Sequence, residues 1–146
     1  MVLIKDLLKQ RGNHVYTISS DATVFEALGE LAEKDIGALV VMDGDKLVGM
    51  FSERDYARKI VLKGLSSKIS KVGELMTPKV FTISPEKSLD DCMKLMSTKK
   101  IRHVPVLERG KLVGLVSIGD IVNRIIYQQT IAIKDLENYI IGGYRS

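Results

Sequence analysis

The chain carries one stretch of sequence twice. Residues 17–60 and 82–125 align without a gap at a constant offset of 65 positions. Identical residues recur at Thr17/Thr82, Ile18/Ile83, Ser19/Ser84, Ile36/Ile101, Val41/Val106, Gly49/Gly114, Ser52/Ser117, Asp55/Asp120 and Ile60/Ile125. A fixed-period repeat constrains the fold more than any local pattern does. Each copy is too short to bury a sufficient core alone, so the two should pack as a pseudo-symmetric pair. Such a pair creates two related clefts, and clefts between units are where small molecules bind.

Within a copy the pattern changes period several times. Val15–Ile18 is β-branched and aromatic and reads as a short strand. Thr23 and Glu26 stand at capping-box spacing, and Val24, Ala27, Leu28 and Leu31 form an apolar helical stripe. Ser88, Asp91, Leu89, Cys92, Met93 and Met96 repeat that logic, with Asp91 a weaker box partner than a glutamate. Ala38–Met42 is an apolar run suited to a buried strand. Asp43-Gly44-Asp45 is turn chemistry, and Leu47–Phe51 is the return strand. Copy two gives Val104–Leu107, then Glu108-Arg109-Gly110, then Leu112–Val116. Pro105 inside a strand predicts an edge or a bulge. A further helix starts at Ser52 and at Ser117. The expected fold is α+β, two β-α-β-β-α units packed as one module.

The boundaries follow. Residues 1–62 hold an N-terminal segment plus the first repeat, 63–79 a linker, 80–127 the second repeat and 128–146 a C-terminal helical extension. The linker carries Gly64, Ser66, Ser67 and Ser70, a helical turn at 72–76 and a Thr77-Pro78 stop. Residues 4–8 resemble 72–76, but the first copy is three residues longer from there to its repeat, so the two lead-ins differ. The last helix should run on past Ile125 until Gly142 and Gly143 stop it.

Composition narrows the classes. At 146 residues with 45% hydrophobic content, the chain is one soluble domain's worth of protein. No apolar run matches a membrane span, and the N-terminus lacks a signal-peptide core. The single Cys92 excludes an internal disulfide and fits a reducing compartment, so a cytoplasmic location is expected. One cysteine and the distant His14 and His103 give no metal site. A net charge of +4 without an arginine stripe interleaved with aromatics is poor support for nucleic-acid binding.

Two such units, each ending in G-x-x-S-x-x-D (GMFSERD at 49–55, GLVSIGD at 114–120), resemble a tandem pair of cystathionine β-synthase (CBS) domains, a Bateman module. The resemblance covers nearly the whole chain and leaves no room for an attached enzyme or transporter domain. SERDYARK, IRHVPV, SIGD and the terminal YIIGGY are similar to small stand-alone bacterial CBS pairs and to plant organellar members that modulate thioredoxins. The resemblance implies sensing, not catalysis. It implies an adenosine-containing ligand between the units, with AMP the first choice and ATP, ADP, NAD(H) and S-adenosylmethionine left open. It also implies a homodimer joined through helices and a regulated partner protein that the sequence does not identify.

Candidate residues follow from motif and resemblance together. Asp55 and Asp120 would accept hydrogen bonds from ribose hydroxyls, since a carboxylate is acceptor-only with two oxygens to offer. Ser-x-x-Asp is equally a helix cap, and both roles can coexist. By resemblance, the main groove comprises Ile36, Gly37, Arg102, His103, Leu115, Ser117, Gly119 and Asp120, with Arg102 and His103 facing a phosphate. His103 is alternatively a packed strand residue. The second groove comprises Met50, Ser52, Arg54, Asp55, Thr77, Val80 and Ile101. Thr77 is a ligand contact or simply a Thr-Pro stop. Arg11 and Gly12 lie near its place in copy one. Helix starts beside the serines offer backbone donors to phosphate. Cys92 lies on an apolar stripe and reads as packing. Lys63, Lys68 and Lys71 read as solvated. Ile121, Val122, Ile125 and Ile126, with Tyr56, Ile60 and Val61, supply a dimer surface. The sequence has no P-loop, paired carboxylates or nucleophile–base pair for an enzyme.

Overall fold

The structure, a computed structural model, describes residues 1–12 and 14–145. Its elements run α1 (Ile4–Arg11), β1 (Thr17–Ser19), α2 (Val24–Lys34), β2 (Ala38–Asp43), β3 (Lys46–Ser52) and α3 (Glu53–Asp55), which continues as a π-helical segment (Tyr56–Val61). Then come α4 (Val72–Leu75), α5 (Leu89–Lys99), β4 (His103–Glu108), β5 (Lys111–Ser117) and α6 (Ile118–Arg145). The α+β fold and its repetition are as the sequence predicts.

The first repeat forms a three-stranded sheet in the order β1-β2-β3, with β1 parallel to β2 and β2 antiparallel to β3. The second forms the β4-β5 hairpin alone, and its first strand is reduced to a single parallel bridge, Ile83 to Val106. Pro105 is the reason. In repeat one Val40 N–H donates to the Tyr16 carbonyl at 3.3 Å. Pro105 occupies the equivalent slot and has no N–H to give. The expected β-α-β-β-α order thus loses a strand in copy two. The register shift at Val106/Leu107 is not due to proline, because repeat one has the same shift at Val41/Met42. The second hairpin turns through Arg109 (φ 52°) and Gly110 (φ 78°), the two positive φ values that a type I′ turn requires.

Helix starts follow their caps, with one reversal. Thr23 Oγ1 accepts from Glu26 N at 3.1 Å, the forward half of a box. Ser88 and Asp91 form both halves, at 3.0 and 3.3 Å, so the box expected to be weaker is the complete one. The Ser88 backbone N–H, followed by its side chain, holds the Asp91 carboxyl below its ordinary pKa. At the other end of the chain, Gly142 and Gly143 do not stop α6. The expected extension continues one unbroken 28-residue helix that runs from Ile118 to Arg145. Glycine in a helix costs about 1 kcal/mol, which weakens a helix without ending it. Ser146, the last residue of that extension, lies outside the described residues.

The cores are exchanged. One contains Val24, Ala27, Leu31, Leu39, Val41, Phe51 and Ile60 of repeat one, completed by Val72 of α4. The other contains Leu89, Cys92, Met96, Val104, Val106, Val116 and Ile121 of repeat two, completed by Ile4, Leu7 and Leu8 of α1. The N-terminal segment, adjacent to repeat one in sequence, therefore packs on repeat two. Backbone bonds repeat the exchange. Ile4 N–H donates to Lys87 O (2.9 Å) and Lys5 N–H to Pro85 O (3.0 Å). Val72 N–H donates to Ala22 O and Gly73 N–H to Ser20 O, both at 2.8 Å. Each unit thus borrows the helix that the other unit's lead-in supplies, which answers the shortage of core in a single copy. Ile121 and Ile60 are buried in these cores, so they leave the expected dimer surface; Val61, Val122 and Ile126 stay exposed. No described helix is long and apolar enough to cross a membrane.

Candidate functional site

Both Ser-x-x-Asp elements cap a helix. Ser52 Oγ accepts from Asp55 N (3.2 Å), and Asp55 Oδ2 accepts from Ser52 N (2.9 Å) and Ser52 Oγ (3.1 Å). Ser117 Oγ accepts from Asp120 N (3.1 Å), and Asp120 Oδ2 accepts from Ser117 N (2.9 Å). The first helical amides are also taken: Glu53 N–H donates to Gly37 O (3.1 Å) and Ile118 N–H to Arg102 O (2.9 Å). The helix starts are therefore less free for phosphate than the sequence predicts. These bonds do tie each cap to the segment leading into the partner strand, and so fix each carboxylate in its cleft.

Asp55 is held further. Its Oδ1 accepts from Thr77 Oγ1 (3.2 Å) and pairs with Lys59 Nζ (3.2 Å). Thr77 is pinned by its main chain to Met50, with bonds of 2.8 and 3.0 Å in the two directions. Lys59 also donates to the Leu75 carbonyl at 3.1 Å. Asp55 is thus a junction between β3, the π-helical segment and the end of α4. In copy one the place of Thr77 is filled differently, because α1 continues to Arg11. The side chain of Arg11 lies outside the described residues.

Two cavities open between the repeats. One, of about 470 Å³, has all seven residues expected of the second groove on its wall: Met50, Ser52, Arg54, Asp55, Thr77, Val80 and Ile101. The other, of about 390 Å³, is lined by Ile36, Gly37, His103, Leu115, Ser117 and Asp120 of the expected main groove. Two members of that set are not on its wall. Gly119 is exposed at the start of α6. Arg102 lines the Asp55 cavity instead. It is exposed, one position before β4, and successive side chains of an extended chain leave in opposite directions. Gly37, Ala38 and His103 line both cavities. The His103 ring lies 3.8 Å from where a Cβ on Gly37 would sit. Burial lowers the pKa of His103; Asp120 opposes this, and Arg102 adds to it.

Several wall residues escaped the sequence reading. In the Asp55 cavity these are Glu53, Arg58, Lys59, Lys79, Phe81 and Lys100; in the other they include His14, Tyr16 and Asp35. A signal for some of them existed. The same offset of 65 pairs His14 with Lys79, Tyr16 with Phe81 and Lys34 with Lys99. Lys79 and Lys99 sit over the Phe81 ring at 5.8 and 5.0 Å. Lys34 sits over Tyr16 at 5.4 Å, with His14 stacked on it at 6.4 Å. Each cavity therefore has an aromatic ring flanked by basic side chains at its rim. Cys92 is fully buried, and burial pushes its thiol up to about 11, so it is a protonated core residue. Among the described residues no group of three or more His, Cys, Asp or Glu could hold a metal ion.

A family model for the CBS domain matches residues 2–62 and 72–127. The chain belongs to the CBS-domain family. The CBS pair is 37% identical over 150 residues to the mitochondrial CBS domain-containing protein CBSX3 of Arabidopsis thaliana, covering 97% of this chain and 73% of that protein. Its fold superposes on a CBS-domain protein from Burkholderia ambifaria MC40-6 with a TM-score of 0.84 at 46% identity, over 88% of this chain and 96% of the other. It is also similar to the CBS domain pair of protein MJ0100, with a TM-score of 0.75 at 28% identity over 85% and 99% of the two chains. That pair was solved in complex with 5′-methylthioadenosine and S-adenosyl-L-methionine.

Proposed function

We propose that this CBS pair is a non-catalytic regulatory module that binds an adenosine-containing ligand between its repeats and passes occupancy to a partner protein. The observation that carries this is the duplicated carboxylate: Asp55 and Asp120, each fixed by a serine cap, stand on the walls of two inter-repeat cavities of ligand size. The MJ0100 complex supports an adenosine compound as the ligand class. Arg102 and His103 both line the Asp55 cavity, and only His103 also lines the Asp120 cavity, so the pair gives the Asp120 groove no advantage. Both grooves therefore stand as binding sites.

The contacts of Asp55 give a route for the signal. Ribose hydroxyls that bind its Oδ1 displace Thr77 or Lys59. Release of Lys59 also removes its bond to Leu75 O, which ties the π-helical segment to α4. The ligand then shifts the balance between tied and released states by its differential affinity for them, and by no more. A homodimer through the exposed helix surfaces is part of the same proposal. Mass spectrometry of small molecules released from the purified protein, followed by calorimetry with those found, tests it. An adenosine compound that binds saturably supports the proposal. Its hydrolysis during incubation would contradict the non-catalytic reading.

A second reading is an interaction module in which nucleotide binding is secondary. The observation in its favour is α6, whose residues Ile126, Ile131, Ile133, Leu136 and Ile140 are all at least 41% exposed. Capture of partners from a lysate with and without ligand separates the two. Ligand-independent capture favours the second.

A further inference from the structure

The internal two-fold supplies its own control for the charge of each groove. The Asp55 cavity is lined by Arg54, Arg58, Lys59, Lys79, Lys100 and Arg102, against the acidic Glu53 and Asp55. Lys59 is committed to Asp55. Among the described residues, the other five cations have no carboxylate within ion-pair distance. All five are exposed. They converge from separate places: Arg54 from α3, Arg58 from the π-helical segment, Lys79 from the stretch after α4, Lys100 from the C-cap of α5 and Arg102 from the position before β4. Their counterparts at the 65-residue offset are Gly119, Asn123, His14, Asp35 and Gly37. None of these is a lysine or an arginine. The Lys100 and Asp35 backbones share one left-handed conformation, with φ of 56° and 53°, so the same geometry carries opposite charge in the two grooves.

Like charges gathered around one cavity repel, and the arrangement favours an anion of matching valence. A monophosphate brings about two negative charges at neutral pH, fewer than half of what five cations can offset. A polyphosphate chain offsets most of them. Guanidinium forks at 54, 58 and 102 suit phosphate oxygens, and the two lysines add point charges. A cavity of about 470 Å³ is on the scale of a small molecule, not of a nucleic-acid strand.

Resting on the reading above that the grooves take adenosine compounds, we infer that the Asp55 groove selects the polyphosphate of a nucleoside di- or triphosphate. The Asp120 groove has no such selection, so the two sites sort ligands by phosphate number. Mobile ions screen the selection, so it weakens as salt rises.

Calorimetry at fixed ionic strength with adenosine, AMP, ATP and inorganic tripolyphosphate tests this, on the native chain, on Arg58→Gln with Lys100→Gln, and on Asp120→Ala. The native protein should bind ATP at least about tenfold more tightly than adenosine, with AMP between them. The double substitution should lower ATP affinity by about ten- to a hundredfold, the loss expected for charge-assisted contacts, and adenosine affinity by far less. Asp120→Ala should keep the ATP preference. Tripolyphosphate should compete with ATP and not with adenosine bound at the Asp120 groove. Equal affinities for adenosine and ATP in the native chain overturn this inference and leave the adenosine reading intact. An ATP preference that survives the double substitution, or is lost in Asp120→Ala, also overturns it. No binding of any adenosine compound overturns both.

Discussion

Gly49 and Gly114 occupy the same slot of the two repeats against different neighbours. A Cβ on Gly49 would collide with the Met76 side chain and lie 2.9 Å from the Thr77 carbonyl oxygen. A Cβ on Gly114 would meet the Leu8 side-chain tip at 2.7 Å. A backbone oxygen already bonded to Met50 cannot step aside, whereas a leucine tip can rotate. Gly49→Ala should therefore cost about 1–3 kcal/mol in urea unfolding, the usual penalty for overpacking, and Gly114→Ala distinctly less. A reversed order would show that the Met50–Thr77 pairing is loose. His103 carries a pH prediction. Desolvation favours its neutral form in the fold and lowers its pKa from 6.5, with Asp120 partly opposing. The unfolded chain then binds the proton first. The stability from keeping the ring neutral is complete above about pH 6.5 and is lost as pH falls towards the folded pKa. Urea midpoints for the native chain should fall across this window, and His103→Gln should flatten the fall. Equal slopes would remove His103 from the account. At this scale the motif residues were legible: Ser52, Asp55, Ser117 and Asp120 stand where the repeat predicts. Lys59 was not, because its contacts depend on α4 packing beside it, and Arg102 lines the Asp55 cavity because strand entry decides which way it leaves.

At the scale of elements, the repeat predicted the order of helices and strands but not who packs with whom. The three extra residues of the first lead-in were visible in sequence. That α1 completes the second core and α4 the first was not, since the apolar residues of 4–8 and 72–76 would serve either unit. Pro105 had a legible chemistry, a missing donor, but its cost became clear only against Val40 in the same slot. Ile4 is fully buried in the second core. Ile4→Ala should cost about 2–5 kcal/mol. Amide exchange should accelerate first in β4 and β5, with β2 and β3 following only through global unfolding. Faster exchange in β2 and β3 alone would contradict the exchange of α1. α6 runs through Gly142 and Gly143, against the expected stop, because two glycines weaken a helix without ending it.

Across the whole molecule, the exposed apolar residues favour self-association. Val61, Val122 and Ile126 are 56%, 48% and 55% exposed, and they lie on the two helical segments that follow the caps. Light scattering at micromolar concentration should report a dimer, and a clean monomer would remove that proposal. The central claim is that the duplicated carboxylates serve adenosine ligands. The measurement closest to it is a calorimetric titration of the native chain and of Asp55→Ala with Asp120→Ala, using ATP, AMP and S-adenosylmethionine. The account predicts saturable binding of at least one of these by the native chain. The folded double variant should lose about tenfold or more in affinity, as expected when charge-assisted contacts are removed. Flat titrations with every ligand, or undiminished affinity in the double variant, would contradict it.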